Sequence, residues 1–331
     1  MINKCNVVLV GGAKRAVASL KSLISREDIK ILFGIYMKGY EDEYKYVDEL
    51  ANISAERLIK YKICDKIIQE DIRLLKNILP DVILGIGIWR SMLPSEFINI
   101  PKYGYIGLHG TALPEYRGFA GINWQIINGA SEIKMRALRL KDGIDDGSLV
   151  CGKDKKSISY SININNEKHL DEIFFEYELK HIKAINDIID LIIRGEINFI
   201  PQDDTKATYS CHRGPDDGEI NWNQTTEVIF NFIRGQSRPY AGAFTYFKGR
   251  KYNIMRARPR KEFSNYTGRI PGKVVQRIIE TDSVVILTKD SAIEIIETES
   301  NKVLVSPYAS FSSIRLRCKS KIEAFIDNYN I

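Results

Sequence analysis

CNVVLVGGAKRAVASLKSLI, Cys5 to Ile24, is the stretch that decides the fold. Val7 to Val10 are apolar without interruption, the pattern of a strand covered on both faces. Gly11 and Gly12 break the run, and Ala16, Val17, Leu20, Leu23 and Ile24 then fall on one side of a helix. A strand, a glycine turn and an amphipathic helix in that order form the first step of a doubly wound α/β sheet. The turn is not Gly-x-Gly-x-x-Gly, and the next strand, Ile29 to Tyr36, does not close on an acidic residue, so no dinucleotide site is predicted.

Working outward, KGYEDEYKYVDE (Lys38 to Glu49) reads as an acidic loop entering a helix, and Glu70 to Ile78 as a further helix. DVILGIGIW, Asp81 to Trp89, reads as a central apolar strand, followed by Arg90 and Pro94 at the edge where such sheets bind ligands. Tyr105 to Leu108 is another strand. Asn123 to Asn128 is expected to be helical and Met135 to Leu140 extended. Leu170 to Arg194 keeps apolar residues at helical spacing until Gly195 stops it.

Residues 199–213 read as a linker, and a helix capped by Thr225 follows. Beyond it AGAFTYF, KYNIMRA, GKVVQRII, SVVILTK and SAIEIIE are short strands at roughly ten-residue spacing, which predicts a small barrel. Ser320 to Asn328 is expected to form a terminal helix. Arg256, Arg258, Arg260 and Lys261 are read as a solvated edge or, alternatively, as a phosphate site.

A length of 331 residues suggests two domains, and 44% hydrophobic with 27% charged residues is the balance of a soluble globular chain. No apolar run approaches a bilayer span and no basic leader precedes the first strand, so a cytoplasmic protein is expected. The five cysteines are scattered and never form Cys-x-x-Cys, which argues against a disulfide framework and a structural zinc site. From Lys206 onward twenty basic residues stand against thirteen acidic ones, a bias too weak to demand a polyanionic partner.

Two places carry the chemistry. His109 leaves a strand into the loop Gly110 to Gly118, where a side chain can meet a ligand. Asp145 sits in the turn Gly143 to Gly147, whose glycines permit sharp bending. Either residue alone is compatible with a structural role; Asp216 and Asp217, in a turn-rich setting, read as solvated.

Taken together, LHGTALPEYRGFAGINWQIINGASE and the Asp145 turn resemble the signature of the folate-dependent formyltransferases, the family of methionyl-tRNA formyltransferase, glycinamide ribonucleotide transformylase and the sugar-nucleotide N-formyltransferases. His109 and Asp145 occupy the two positions of its His-Pro/Gly-Ser/Thr-x-Leu-Pro-x-x-x-Gly segment and its Asp-x-Gly turn. HRGPDDGEINW, FIRGQSRPYAGAFTYF and KYNIMRARP are similar to the linker and barrel-like domain shared by the methionyl-tRNA and sugar enzymes. The resemblance implies a Rossmann-like catalytic domain over 1–200, a linker over 201–215 and an OB-type β-barrel-like domain over 216–331.

It also implies N10-formyltetrahydrofolate as co-substrate without a metal, His109 and Asp145 as catalytic residues, co-substrate contacts at Ile88, Trp89, Leu93, Leu140 and Lys141, and substrate contacts at Thr111, Tyr116 and Arg117. The family's usual asparagine two residues before the histidine is Gly107 here, and Asn123, Trp89 and Thr111 are alternative donors. The acidic Lys38–Glu49 stretch disfavours a nucleic acid. The expected acceptor is therefore a nucleotide-linked amino sugar of the UDP- or dTDP-4-amino-4-deoxy type. Methionyl-tRNA formylation, and a deformylase or non-catalytic folate-binding relative, stay open. So does a homodimer, for which no exposed apolar stripe speaks.

Overall fold

The computed structural model describes residues 4–164 and 168–329. It divides the chain into two compact units: Met1–Gly118, Lys134–Ile162 and Glu176–Ser210 form the first, and Phe119–Ile133, Asn163–Phe175 and Cys211–Ile331 the second. The second thus draws two segments from the N-terminal half as well as the expected C-terminal region.

In the first unit β1 (Cys5–Gly11), β2 (Ile29–Met37), β3 (Tyr61–Cys64), β4 (Val82–Gly85) and β5 (Tyr105–His109) are parallel, in the order β3-β2-β1-β4-β5. The helices α1 (Ala13–Leu23), α2 (Tyr44–Glu56), α3 (Gln69–Ile78) and α4 (Ser95–Asn99) connect them. The winding reverses at the β1/β4 boundary, and sheets of this kind take ligands beyond the carboxyl ends of their strands. β6 (Arg117–Gly118) leaves the sheet. β7 (Glu132–Arg139), β8 (Ser148–Cys151) and β10 (Asn198–Ile200) then extend it antiparallel from β5, and β9 (Ser159–Asn163) also pairs with β7. β11 (Tyr209–Ser210) pairs with β6.

β1 shows why the opening stretch folds as it does. Its alternate residues serve opposite faces: Val7 and Leu9 pack with Ala16 and Leu20 of α1, while Val8 and Val10 pack with Ile72 and Leu75 of α3. All four valine and leucine side chains are 0% exposed, each contributing roughly 1.5–3 kcal/mol by leaving water. The strand expected over 81–89 is shorter, ending at Gly85. From there the chain turns aside and Ile88 exchanges main-chain hydrogen bonds with Gly12, at 2.9 and 3.1 Å. Gly87 permits this approach, since a Cβ on it would lie 2.3 Å from the Gly12 carbonyl oxygen.

α5 (Gly121–Ile127) belongs to the second unit, and α6 (Leu170–Ile193) runs over the expected span, with Gly195 at φ +63° beyond its end. The stretch read as a linker begins within β10 and holds β11 and a short 3-10 turn over Asp204–Lys206.

The second unit holds the expected short strands. β12 (Ala243–Phe247), β13 (Arg250–Arg260), β14 (Val274–Ile278), β15 (Ser283–Leu287), β16 (Ala292–Ser300) and β17 (Val303–Val305) form an antiparallel sheet in the order β12-β13-β16-β15-β14, with β17 on β16. Its two edges are joined by residues 316–319. Lys319 exchanges main-chain hydrogen bonds with Tyr246 of β12 at 2.8 and 3.0 Å, and Cys318 donates to Gly272, beside β14, at 2.8 Å. That closure makes the sheet barrel-like.

α7 (Thr226–Arg234) is capped by Thr225, whose hydroxyl accepts from the Val228 N–H. Val228 is exposed, while Ile229 and Phe230 pack with Trp222 and Phe247 in the core. α8 (Pro307–Ser310) and α9 (Lys321–Tyr329) complete the unit. Among the described residues no helix is long and apolar enough to cross a membrane.

Candidate active site

β5 is buried at Tyr105 and Ile106 and half-buried from Gly107 to His109, so the strand emerges from the core where the histidine stands. The His109 side chain is 15% exposed. Its Nε2 lies 3.0 Å from the Tyr116 carbonyl oxygen and its Nδ1 3.5 Å from Asp145 Oδ2. A carbonyl can only accept, so Nε2 carries a proton; Nδ1 turns its lone pair, or a second proton, toward the carboxylate.

Asp145 lies between β7 and β8 with φ +49°. The turn is tight because Gly147 presses on Arg139: a Cβ there would sit 1.9 Å from the Arg139 carbonyl oxygen. Aspartate is among the few residue types that tolerate the left-handed region this return imposes. Asp145 Oδ2 accepts from the Gly118 N–H at 2.8 Å, and its main-chain carbonyl accepts from Gln202 Nε2 at 2.7 Å. A histidine and a carboxylate facing each other can pass a proton and answer a developing negative charge. Among the described residues no group of three histidine, cysteine or acidic side chains could hold a metal ion.

The three residues expected at the substrate are placed together, but inside the loop. Tyr116, at φ +56°, offers His109 its carbonyl and donates its N–H to Thr208 Oγ1 at 2.9 Å. Thr111 is fully buried and its hydroxyl donates to the Glu115 carbonyl at 2.8 Å. Arg117 is 2% exposed, with its guanidinium on Gln202, Asp204 and Tyr209. In this geometry the Thr111 and Arg117 side chains shape the loop.

Of the residues expected at the co-substrate, Trp89, Leu93 and Leu140 are partly buried and pack on one core cluster with Phe97, Ile98 and Tyr105. The Trp89 indole N–H is buried with no hydrogen-bond partner among the described residues. Ile88 engages its main chain with Gly12, and Lys141 is exposed. Of the other alternative donors, Asn123 donates to the Gly235 carbonyl at 2.8 Å, and Thr111 is engaged as above.

Gly107 is not demanded by the fold. A Cβ there would meet only the Tyr105 ring, at 3.6 Å, an ordinary contact. Sequence reasoning missed Gln202 and Thr208, which lie in the polar stretch read as a linker. A cavity of about 460 Å³ is lined by Tyr160, Lys183, Asp187, Asp190 and Arg194 and not by His109 or Asp145, and Lys183 is already paired with Asp187 at 2.9 Å. The arginines that allowed a phosphate reading are paired too, Arg256 with Asp171 at 2.5 Å and Arg258 and Arg260 with Glu294 at 2.7 and 2.6 Å.

Residues 41–160 match the Formyl transferase family and residues 214–312 the Formyl transferase, C-terminal domain. With both parts present, the chain belongs to the folate-dependent formyltransferase family and is a formyl-transferring enzyme. Among its relatives, the bifunctional polymyxin resistance protein of Wigglesworthia glossinidia brevipalpis is 30% identical over 225 residues, covering 68% of this chain and 32% of that protein. The match thus spans about a third of that relative's length.

The methionyl-tRNA formyltransferase of Thermodesulfovibrio yellowstonii is 29% identical over 255 residues, 76% of this chain and 79% of its own. Among solved structures, an N-formyltransferase from Helicobacter canadensis, in complex with folinic acid and dTDP-3-aminofucose, superposes with a TM-score of 0.64 at 18% identity, covering 90% of this chain and all of that one. That level of identity speaks to the fold alone.

Proposed function

We propose that the enzyme moves the formyl group of N10-formyltetrahydrofolate to the primary amine of a nucleotide-linked amino sugar, of the UDP- or dTDP-4-amino-4-deoxy type. The observation that carries this reading is the His109–Asp145 pair at the carboxyl end of β5, with Nδ1 3.5 Å from Oδ2. Bound N10-formyltetrahydrofolate supplies an activated formyl group. Trp89, Leu93 and Leu140 fit it as an apolar wall carrying an unengaged N–H, with Ile88 and Lys141 beside them in sequence.

His109 answers the charge that builds on the formyl oxygen; its Nε2–H, now on the Tyr116 carbonyl, is the proton to be redirected. Asp145 accepts the proton that the amine gives up as its nitrogen bonds to the formyl carbon, and holds the imidazole in place; as the bond from that carbon to N10 breaks, the same proton would go to N10 and tetrahydrofolate would leave.

Three observations favour a small nucleotide-sugar acceptor over tRNA. Residues 38–49 hold two basic and five acidic side chains, which repel a phosphate backbone. The neighbouring Arg90 is already held by Glu43 at 2.8 and 2.9 Å and stacked on Tyr40. The Helicobacter relative carries a dTDP-linked amino sugar. Methionyl-tRNA formylation is the second reading, supported by the name of the Thermodesulfovibrio relative.

Incubation of the enzyme with N10-formyltetrahydrofolate and a panel of UDP- and dTDP-linked amino sugars or Met-tRNA, followed by product mass, separates the two. A gain of one formyl group on an amino sugar is expected. Formylation of Met-tRNA alone overturns the sugar reading.

A further inference from the structure

Gln202 lies two residues beyond β10, in a stretch without periodic apolar residues, and its side-chain amide is engaged at both ends. Nε2 donates to the main-chain carbonyls of Asp145 and Gly147, at 2.7 and 2.6 Å. Oε1 accepts from Arg117 Nε and Nη2, at 3.2 and 3.0 Å. Arg117 is itself fixed, because it is 2% exposed, reaches Asp204 Oδ1 at 2.7 Å, and belongs to β6, which pairs with β11. The next residue, Gly118, donates its N–H to Asp145 Oδ2 at 2.8 Å. Asp145 is thus tied through its carboxylate and through its main chain to the same dipeptide, Arg117–Gly118, and Gln202 supplies the main-chain tie.

We propose that Gln202, backed by Arg117, is a positioning residue that aims the Asp145 carboxylate at His109. The proposal deepens the reading above, since it rests on Asp145 being catalytic. Aspartate tolerates φ +49° at a modest conformational cost, and the Gln202 hydrogen bonds to the Asp145 and Gly147 carbonyls offset that cost and fix the turn. The side-chain type is specific. Glutamine offers two donors to two carbonyls and an acceptor to a guanidinium. Glutamate has the same size and keeps Arg117, but sets an oxygen against both carbonyls.

The test is Gln202→Glu, alone and combined with Asp145→Asn, assayed with N10-formyltetrahydrofolate and a dTDP- or UDP-linked 4-amino sugar. Loss of aim by about an ångström lowers kcat roughly 10- to 100-fold, and KM for both substrates is expected to stay within about threefold. Hydrogen exchange of the 143–148 segment speeds up in Gln202→Glu while that of 105–109 does not change, which separates loss of the tie from loss of the fold. Because Gln202 acts through Asp145, adding Gln202→Glu to Asp145→Asn lowers kcat no further.

Unchanged kcat and unchanged exchange at 143–148 in Gln202→Glu would overturn the proposal, as would an equal loss of kcat in the Asp145→Asn background. Full turnover in Asp145→Asn overturns the catalytic reading of Asp145 itself, and is distinguished by needing no change at Gln202.

Discussion

Glu294 and Asp145 are two carboxylates, one in each unit, treated in opposite ways. Glu294, in β16, is 0% exposed and accepts from Arg258 at 2.7 and 3.0 Å, from Arg260 at 2.6 Å and from Ser283 at 2.7 Å. Burial by itself pushes its carboxyl up, but the hydrogen bonds from Arg258, Ser283 and Arg260 outweigh that and hold it below the usual range. Asp145 is 22% exposed, takes the Gly118 N–H on Oδ2 and faces a histidine nitrogen across 3.5 Å. A carboxylate saturated by fixed cations stays ionised and does not trade protons. One that faces an imidazole at the carboxyl end of a strand can.

The largest expected effect follows from the site. His109→Ala and Asp145→Asn should each lower kcat about 10²- to 10⁴-fold, with thermal unfolding nearly unchanged; a large drop in melting temperature with little change in rate would reverse the comparison. Glu294 should do the opposite. Removing the charge from a buried ion pair costs about 3–5 kcal/mol, so Glu294→Gln is expected to unfold at markedly lower denaturant while the folded fraction turns over normally. The tie is also pH-dependent in a fixed direction: because the Glu294 pKa is lowered on folding, its stabilisation is present above the unfolded carboxyl value and is lost as pH falls.

A buried histidine sharpens the same contrast on a smaller scale. His181, in α6, is 2% exposed, and burial first, then the nearby Arg15 charge, pushes its pKa down from 6.5 to about 3. The unfolded chain therefore binds a proton that the folded chain refuses. Stability is full above pH 6.5 and falls as pH drops toward 3, with a limiting slope of about 1.4 kcal/mol per pH unit. Urea unfolding at pH 7 and pH 5 should show an acid loss about 2 kcal/mol larger for wild type than for His181→Gln. Parallel curves would mean that His181 is hydrated in the fold.

The smallest effect belongs to Gly107. An alanine fits there, so Gly107→Ala should leave stability unchanged or raise it by up to about 1 kcal/mol. A loss of more than that would show that the space beside His109 is closed.

Most of the fold was legible because burial leaves a periodic mark. β1, α1 and α6 repeat at the spacing their faces require, and the β-rich second half appears as short apolar runs between turns. His109 and Asp145 were legible as residue types at joints, made specific by their joint resemblance to a family signature. What the sequence hid was local hydrogen bonding. Arg117 reads as a substrate contact, yet its guanidinium lies 2% exposed among Gln202, Asp204 and Tyr209. Gln202 sits among polar residues that look like a linker, and a side-chain amide that ties two carbonyls has no periodicity to betray it. Strand ends were misjudged where glycine turns meet, as at Gly85, because the Gly12–Ile88 contact is long-range.

If the His109–Asp145 pair drives amine-dependent formyl transfer, tetrahydrofolate release measured with and without a nucleotide-linked amino sugar will show it. Release is expected to require the amine, to match N-formyl product one for one, and to be lost in Asp145→Asn. Release at the same rate without any amine, or undiminished in Asp145→Asn, would contradict it.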